Sequence, residues 1–137
     1  MNTIQGSCLC GAIHYSTHLA PLTTAVCHCR DCQKQSGSAF SVNLLVPAEG
    51  FLVEGSSLGC YAKAGGSGLP VKRYFCTCCG SALYSEITAM PGVLAVKAGT
   101  LADTAIATPN LHLWCASARP WVAIDRSLPC FEHAATE

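Results

Sequence analysis

Seven of the eleven cysteines lie in three short clusters with the spacing of metal ligands. The clusters are Cys8-Leu9-Cys10, Cys27-His28-Cys29-Arg30-Asp31-Cys32 and the outer pair of Cys76-Thr77-Cys78-Cys79. Zinc binds thiolates well, and it takes four protein ligands in a structural site but three plus an exchangeable position in a catalytic site. Two pairs and one triplet therefore predict two Zn²⁺ sites, one closed and one open.

The closed site is predicted from the two pairs, Cys8 with Cys10 and Cys76 with Cys79. A glycine follows the last cysteine of each pair, which lets the backbone turn sharply and bring its amide groups toward the sulfurs. Four cysteines from two distant segments can form a tetrahedral site that closes a long loop of the chain. We expect this site to be structural.

The open site is predicted from Cys27, Cys29 and Cys32, which offer three thiolates in six residues. Three protein ligands with one exchangeable position are typical of a reactive zinc, so these cysteines are the predicted catalytic residues. The alternative is a second structural site, completed by a distant residue such as His112 or Cys115.

His28 lies between two of the predicted ligands. Neighbouring residues of a strand point to opposite faces, so we expect the His28 ring to point away from the metal. Positive charge on Arg30 and Lys34 would favour the thiolate forms of the triplet. Cys78 is expected to point out of its turn, and three further cysteines are expected to be buried free thiols: Cys60, Cys115 and Cys130.

The composition argues against several kinds of partner. The 137 residues carry eight basic and eight acidic side chains, with a charged fraction of 12%, so we expect no nucleic acid and no anionic membrane. The chain begins without a secretory signal, and no apolar run approaches the ~18 residues that cross a bilayer. We therefore expect a cytoplasmic protein, in which dense cysteine indicates metal rather than disulfides. The length fits a single domain over residues 1–137.

The elements that must position these cysteines are mostly short strands. Alternation of apolar and polar residues, bounded by turn residues, predicts them at 12–16, 39–46, 51–54, 58–63, 71–75, 82–86, 93–98 and 111–115. The predicted fold is therefore mainly β, with short antiparallel strands and little helix. A helix is predicted over 30–36, ended by Gly37, and a second helical turn at 101–103. Residues 64–68 are predicted to form a loop, and 133–137 a frayed tail.

The sequence around the clusters resembles a known family from about Gly6 to Glu132. The resemblance rests on Ser7-Cys8-Leu9-Cys10-Gly11, Cys27 through Cys32 with Ser36-Gly37-Ser38-Ala39-Phe40, Tyr74-Phe75-Cys76 through Cys79-Gly80-Ser81, His112-Leu113-Trp114, Arg119-Pro120-Trp121 and Leu128-Pro129-Cys130-Phe131-Glu132. These segments are similar to those of the glutathione-dependent formaldehyde-activating enzymes, also called S-(hydroxymethyl)glutathione synthases. Cys78 and Cys115 depart from the family pattern, and either would close the open site if it supplied a ligand.

The resemblance implies a β-tent of small antiparallel sheets around a structural zinc held by Cys8, Cys10, Cys76 and Cys79. It also implies a catalytic zinc on Cys27, Cys29 and Cys32, and the activity of a carbon–sulfur lyase that joins glutathione to formaldehyde. In that activity the metal would lower the pKa of the glutathione thiol, and the sulfur would add to the aldehyde.

Glutathione carries two carboxylates, which match the fork of a guanidinium group. Arg30, which is next to two of the triplet cysteines, is therefore the predicted glutathione-binding residue, and Lys34, Arg73 and Arg119 are further candidates. Trp114 and Trp121 are candidate walls of the pocket.

The predicted partners are a small thiol and an aldehyde, with a second copy of the chain as a further candidate. A binding protein without turnover is the competing interpretation. It would be a zinc- and glutathione-binding carrier, or a module that uses the zinc fold to bind another protein. A pocket with basic residues at the second metal would favour a thiol substrate, whereas a large exposed apolar patch would favour a protein partner.

Overall fold

The fold is known from a computed structural model, which describes residues 3–134. Within that range the chain forms ten strands and one α-helix. In chain order they are β1 (Ile4–Ser7), β2 (His14–Thr17), β3 (Thr23–Cys27), α1 (Arg30–Ser36), β4 (Ser41–Pro47), β5 (Leu52–Glu54), β6 (Leu58–Ala64), β7 (Pro70–Cys76), β8 (Ala82–Ile87), β9 (Val93–Lys97) and β10 (Leu111–Leu113). Short 3₁₀ helices lie at Ala98–Thr100, Thr104–Ile106 and Cys115–Ser117.

The strands form two sheets. The smaller has the order β1-β2-β5 and is antiparallel. The larger has the order β10-β3-β4-β9-β8-β7-β6 and is antiparallel except for the parallel pair of β10 and β3. The mainly β fold with small sheets and little helix is thus as predicted. The parallel pair is a correction to the expected all-antiparallel arrangement, because it joins segments more than eighty residues apart, a separation that local patterns cannot encode.

Eight of the strands were predicted within a few residues, and two were missed. β1 (Ile4–Ser7) has only one apolar side chain, and β3 (Thr23–Cys27) begins with two threonines. The α-helix has the predicted bounds, and Gly37 ends it in the left-handed conformation, at φ 68°.

Two sequence predictions at the irregular parts of the chain are wrong. Residues 101–103 are not helical, because Leu101 forms an isolated antiparallel bridge with Gly6 at the free edge of β1. The predicted frayed tail does not begin at 133, because the His133 carbonyl accepts a hydrogen bond from the Trp114 amide at 2.9 Å. The remainder of that tail, 135–137, lies outside the described residues.

The hydrophobic core lies between the two sheets and extends to the first cysteine group. Its most buried side chains include Ile13, Leu44, Val46 and Leu83, all at most 1% exposed. Burying such a side chain contributes about 1.5–3 kcal/mol to folding. Cys8 and Cys76 belong to the same cluster, so two thiols of the first group are part of the core.

The opposite face of β4 is buried as well, although it is polar. Ser41 and Asn43 are 3% and 7% exposed, and this face points toward Cys27, which pairs with Ser41 in the sheet. The larger sheet therefore has an apolar face on the core and a polar face at the second cysteine group. No helix within residues 3–134 is long and apolar enough to span a membrane.

Candidate metal centres

The first cysteine group joins the two sheets. Cys8 and Cys10 lie between β1 and β2, whereas Cys76 ends β7 and Cys79 follows it in the turn to β8. The four sulfurs lie within 4.8 Å of one another. Neighbouring sulfurs are 3.7 Å apart between Cys8 and Cys10 and 3.8 Å apart between Cys10 and Cys76. Tetrahedral zinc with Zn–S bonds of about 2.3 Å requires sulfurs about 3.8 Å apart, so the arrangement fits the metal.

Backbone turns and hydrogen bonds hold the four sulfurs of this group in position. Gly11 and Gly80 both have positive φ, at 81° and 78°, as the sequence predicted, and each amide bonds back to the carbonyl of the cysteine three or four residues earlier. Ser81 lies 3.2 Å from the Cys79 sulfur. Hydrogen bonds from the Ser81 hydroxyl and amide lower the pKa of Cys79 to about 5. The surroundings of Cys79 thus favour the thiolate form that a metal requires.

The second group consists of Cys27, Cys29 and Cys32, whose sulfurs also lie within 4.8 Å of one another. Cys27 ends β3, and Cys29 caps helix α1 by accepting a hydrogen bond from the Cys32 amide at 3.2 Å. Hydrogen bonds donated by Cys27 and Cys32 lower the pKa of Cys29, and the bond to Cys29 raises that of Cys27. The thiolate form is therefore favoured at Cys29, whereas Cys27 and Cys32 hold their protons more tightly.

No fourth His, Cys, Asp or Glu joins this group within residues 3–134. The alternative fourth ligands of the sequence analysis lie elsewhere: His112 contacts His28, and the Cys115 thiol is beside that of Cys130. Cys78 is exposed and outside both groups. The division into a set of four and a set of three is thus present in the structure.

The ring of His28 lies away from the three sulfurs, as predicted. It is fully buried, and its Nε2 is 3.0 Å from Nδ1 of His112 on β10. Nδ1 of His28 is buried without a hydrogen-bond partner, so we assign the proton to Nε2, because a buried acceptor without a partner costs less than a buried donor. The pair holds the turn between Cys27 and Cys29 against β10.

A glutamine that the sequence analysis did not consider holds the other side of this turn. Gln33 of α1 is 5% exposed, and its side-chain amide donates to the carbonyls of His28, at 2.7 Å, and Ser117, at 3.1 Å. A buried glutamine needs such partners. The only sequence signal was its position one residue after Cys32, on a helix that has to pack against the sheet.

We expect stability to depend on pH through the His28–His112 pair. Burial lowers the pKa of both imidazoles, so the unfolded chain binds protons more tightly than the folded one. The two neutral imidazoles therefore make their full contribution to the free energy of unfolding above about pH 6.5. That contribution decreases as the pH falls through and below this value. Replacing His112 by glutamine keeps a polar partner for His28 and removes one of the two titrating groups. The free energy of unfolding, measured in urea between pH 7.5 and 5.5, should decrease less steeply in H112Q than in the wild type.

The matched control is H14Q, which removes an exposed histidine of β2. Cysteines also take up protons in acid and add to the slope of the free energy of unfolding against pH. The effect of the His112 imidazole is therefore read from the difference in slope between H112Q and the wild type. Equal slopes for all three proteins would contradict the prediction.

Two cations lie near the second group on the polar face of the larger sheet. Lys97 ends β9 and pairs with Asn43, and its Nζ donates to the Ser41 hydroxyl at 2.7 Å. Arg73 of β7 is 8% exposed, and its charge lowers the pKa of Cys29. Arg73 was a predicted candidate, whereas Lys97 was missed. A lysine at the end of the apolar run Val93-Leu94-Ala95-Val96 was the available signal.

The other predicted substrate-binding residues lie further out. Arg30 is exposed and donates to the side chain of Gln33, and Lys34 is exposed on the same helix. Arg119 donates to the Ser117 carbonyl at 3.1 Å. Trp121 is 75% exposed, so little of its ring surface packs against the protein as the wall of a pocket would.

The hairpin of β6 and β7 contacts helix α1 and Trp114. Lys63 of β6 forms an ion pair with Asp31 of α1 at 2.7 Å. The predicted loop at 64–68 is the hairpin tip, in which a β-carbon on Gly66 would be 2.7 Å from the Trp114 ring. Trp114 is in the left-handed conformation, at φ 57° and ψ 40°, which is costly for a bulky residue and typical of functional sites. The exposed ion pair is worth only about 0–1 kcal/mol, so the tip is held mainly by packing.

The isolated cysteines differ from the prediction of buried thiols. Cys60 is exposed on β6, whereas Cys115 and Cys130 are half-buried. Cys60 is exposed because both faces of β6, the edge strand of the larger sheet, are exposed over residues 60–64.

Comparisons with known proteins agree with this fold. The profile of the family described as "Glutathione-dependent formaldehyde-activating enzyme" matches residues 3–117. A Halomonas elongata protein, provisionally named as such an enzyme, is 30% identical over 130 residues, which cover 89% of this chain and 81% of the relative. The crystal structure of a Rhodobacter sphaeroides protein superimposes with a TM-score of 0.58 at 22% identity, covering 72% of this chain and 87% of that one.

A mainly β fold with two cysteine groups defines a class of small proteins built around thiols that lie close enough together to hold a metal ion. Within that class, the chain belongs to the glutathione-dependent formaldehyde-activating enzyme family.

Proposed function

We propose that this protein is a zinc-dependent carbon–sulfur lyase that joins the thiol of glutathione to formaldehyde or a similarly small aldehyde. The observation that carries the proposal is the group of Cys27, Cys29 and Cys32, which has three ligand sulfurs and no fourth ligand residue within the described part of the chain. Family membership supports glutathione and formaldehyde as the substrates.

The donor set suits zinc at both groups. Thiolates are soft ligands, and the sulfur separations of the first group agree with tetrahedral coordination. Cys8, Cys10, Cys76 and Cys79 would hold a structural ion, and Cys27, Cys29 and Cys32 a catalytic one. Bound there, zinc would supply a Lewis acid that favours the thiolate form of a substrate thiol at neutral pH.

The protein's own residues would position the reactants. The Cys32 amide and helix α1 fix Cys29, and the contacts of Gln33 and His28 hold the same turn from behind. In the reaction, a bond forms between the glutathione sulfur and the carbonyl carbon, and the thiol proton ends on the carbonyl oxygen. The product is a hemithioacetal, and the reverse reaction breaks the same bond. Holding both reactants in place supplies much of the rate gain for such an addition.

The carboxylates of glutathione would bind to cations around the group. Arg30 remains the proposed first partner, since it is exposed beside Cys29 and already donates to Gln33, and Lys34 and Arg119 are further candidates. We also propose that the protein works in the cytoplasm, because a reducing compartment supplies glutathione and keeps the cysteines as thiols.

The test is exchange NMR of formaldehyde and glutathione, since the uncatalysed addition is itself reversible. We expect the exchange rate to increase in proportion to the protein, to return to the uncatalysed rate when a chelator removes the zinc, and to be lower when 2-mercaptoethanol, a thiol without carboxylates, replaces glutathione. Metal content is measured on the same sample. Glutathione binding without faster exchange would contradict the proposal and favour the carrier.

A further inference from the structure

The two cations beside the second cysteine group have no carboxylate partner. The one ion pair among residues 3–134 joins Lys63 to Asp31, and Lys97 donates to the Ser41 hydroxyl instead. Buried charges are normally paired, because an ion that leaves water loses its hydration. The anions near Lys97 and Arg73 are the thiolates of the second group, which raise the pKa of Lys97 against the lowering effect of its burial.

Lys97 is held in this position by the polar face of the sheet. Its Nζ donates to Ser41 at 2.7 Å, and the Ser41 hydroxyl donates to Oδ1 of Asn43 at 3.2 Å. Ser41 is the sheet partner of Cys27. Both polar side chains are at least nine-tenths buried, so the cation cannot move into water without breaking a buried chain of hydrogen bonds.

The charges of this site do not cancel until one more anion is bound. Three thiolates and a divalent ion carry one net negative charge. Lys97 and Arg73 together reverse its sign and leave one positive charge in a partly buried place. A neutral fourth ligand, such as water or imidazole, would leave that charge in place, whereas a thiolate would neutralise it.

We propose that Lys97, which Ser41 fixes, and the buried Arg73 are counter-cations that make the three-cysteine site selective for an anionic fourth ligand, a thiolate, over a neutral one. The inference rests on the proposed function, since it concerns the same site, but it predicts a ligand preference rather than turnover. Lys97 favours the anionic ligand through its charge and does not itself react, so it is a positioning residue rather than a catalytic one.

The test measures ligand binding to the cobalt(II)-substituted protein, without formaldehyde. The ligand-field spectrum reports exchange of the fourth ligand, while the four-cysteine site gives a constant background. The anionic probe is 2-mercaptoethanol, which binds as a thiolate and has no carboxylate to contact other cations. The neutral probe is imidazole. In K97M we expect the dissociation constant of 2-mercaptoethanol to increase about tenfold or more, as for loss of a partly buried charge partner, and that of imidazole to change less than about twofold.

Two further variants separate charge from shape. K97R keeps the charge and should bind 2-mercaptoethanol within about threefold of the wild type, because a guanidinium also reaches the thiolates. K72M removes the exposed lysine beside Arg73 and should change neither dissociation constant.

Several results would overturn the proposal. They are equal weakening of both probes in K97M, no weakening of either, or a loss in K97R as large as that in K97M. A protein that keeps the predicted preference for 2-mercaptoethanol but does not accelerate formaldehyde exchange would contradict the proposed function alone.

Discussion

Replacing Cys76 by serine is expected to unfold the domain. Cys76 is fully buried, belongs to the hydrophobic core and is one of the four sulfurs that join the two sheets. A structural zinc contributes about 10–16 kcal/mol in small zinc domains, which is comparable to the whole ~5–15 kcal/mol stability of a typical protein. We therefore expect C76S to lose its cooperative thermal transition and its near-UV circular dichroism, and to bind less zinc.

Cys78 provides the matched control, since it is two residues away, exposed and outside both groups. C78S should keep the wild-type melting temperature and zinc content. If C76S melted like C78S, the first group would not be the structural centre of the fold.

Replacing Cys29 by serine is expected to abolish activity while the fold is retained. Cys29 supplies one of only three sulfurs in the second group, and its loss leaves two. The group lies at the end of β3 and the start of α1, away from the residues of the main core. We expect C29S to have about one zinc fewer per chain, exchange of formaldehyde at the uncatalysed rate, and a melting temperature lowered by only a few degrees, as for loss of about 1 kcal/mol.

The control for this variant is C60S, which removes an exposed thiol of β6 and should leave zinc content and activity unchanged. Unfolding of C29S to the same extent as C76S would show that the two groups do not have separate structural and catalytic roles.

Local chemistry in the sequence was sufficient for much of the fold and the sites. Helix α1 was predicted with its exact bounds, because Gly37 in the left-handed conformation marks its end. The grouping of seven cysteines was also predicted, since close spacing within each cluster limits where the sulfurs can point. Glycines after the last cysteines of the first group have the positive φ that the prediction required.

The remaining features depend on contacts between distant segments. The parallel pairing of β10 with β3 decides that His28 meets His112, and nothing near either histidine indicates it. The position of Lys97 beside the thiolates depends on the order of β3, β4 and β9 in the sheet. Periodicity predicts that these segments are strands, but it does not predict which strands are neighbours.

The two cysteine groups differ in how far apart their members are in the chain, which has a consequence during synthesis. Cys27, Cys29 and Cys32 leave the ribosome together, whereas Cys8 and Cys10 precede Cys76 and Cys79 by more than sixty residues. At about 5–20 residues per second, the N-terminal pair waits several seconds for its partners. The nascent chain can therefore complete its second cysteine group before its first, and Cys8 and Cys10 are the thiols that are longest open to oxidation or to a competing metal before the protein folds.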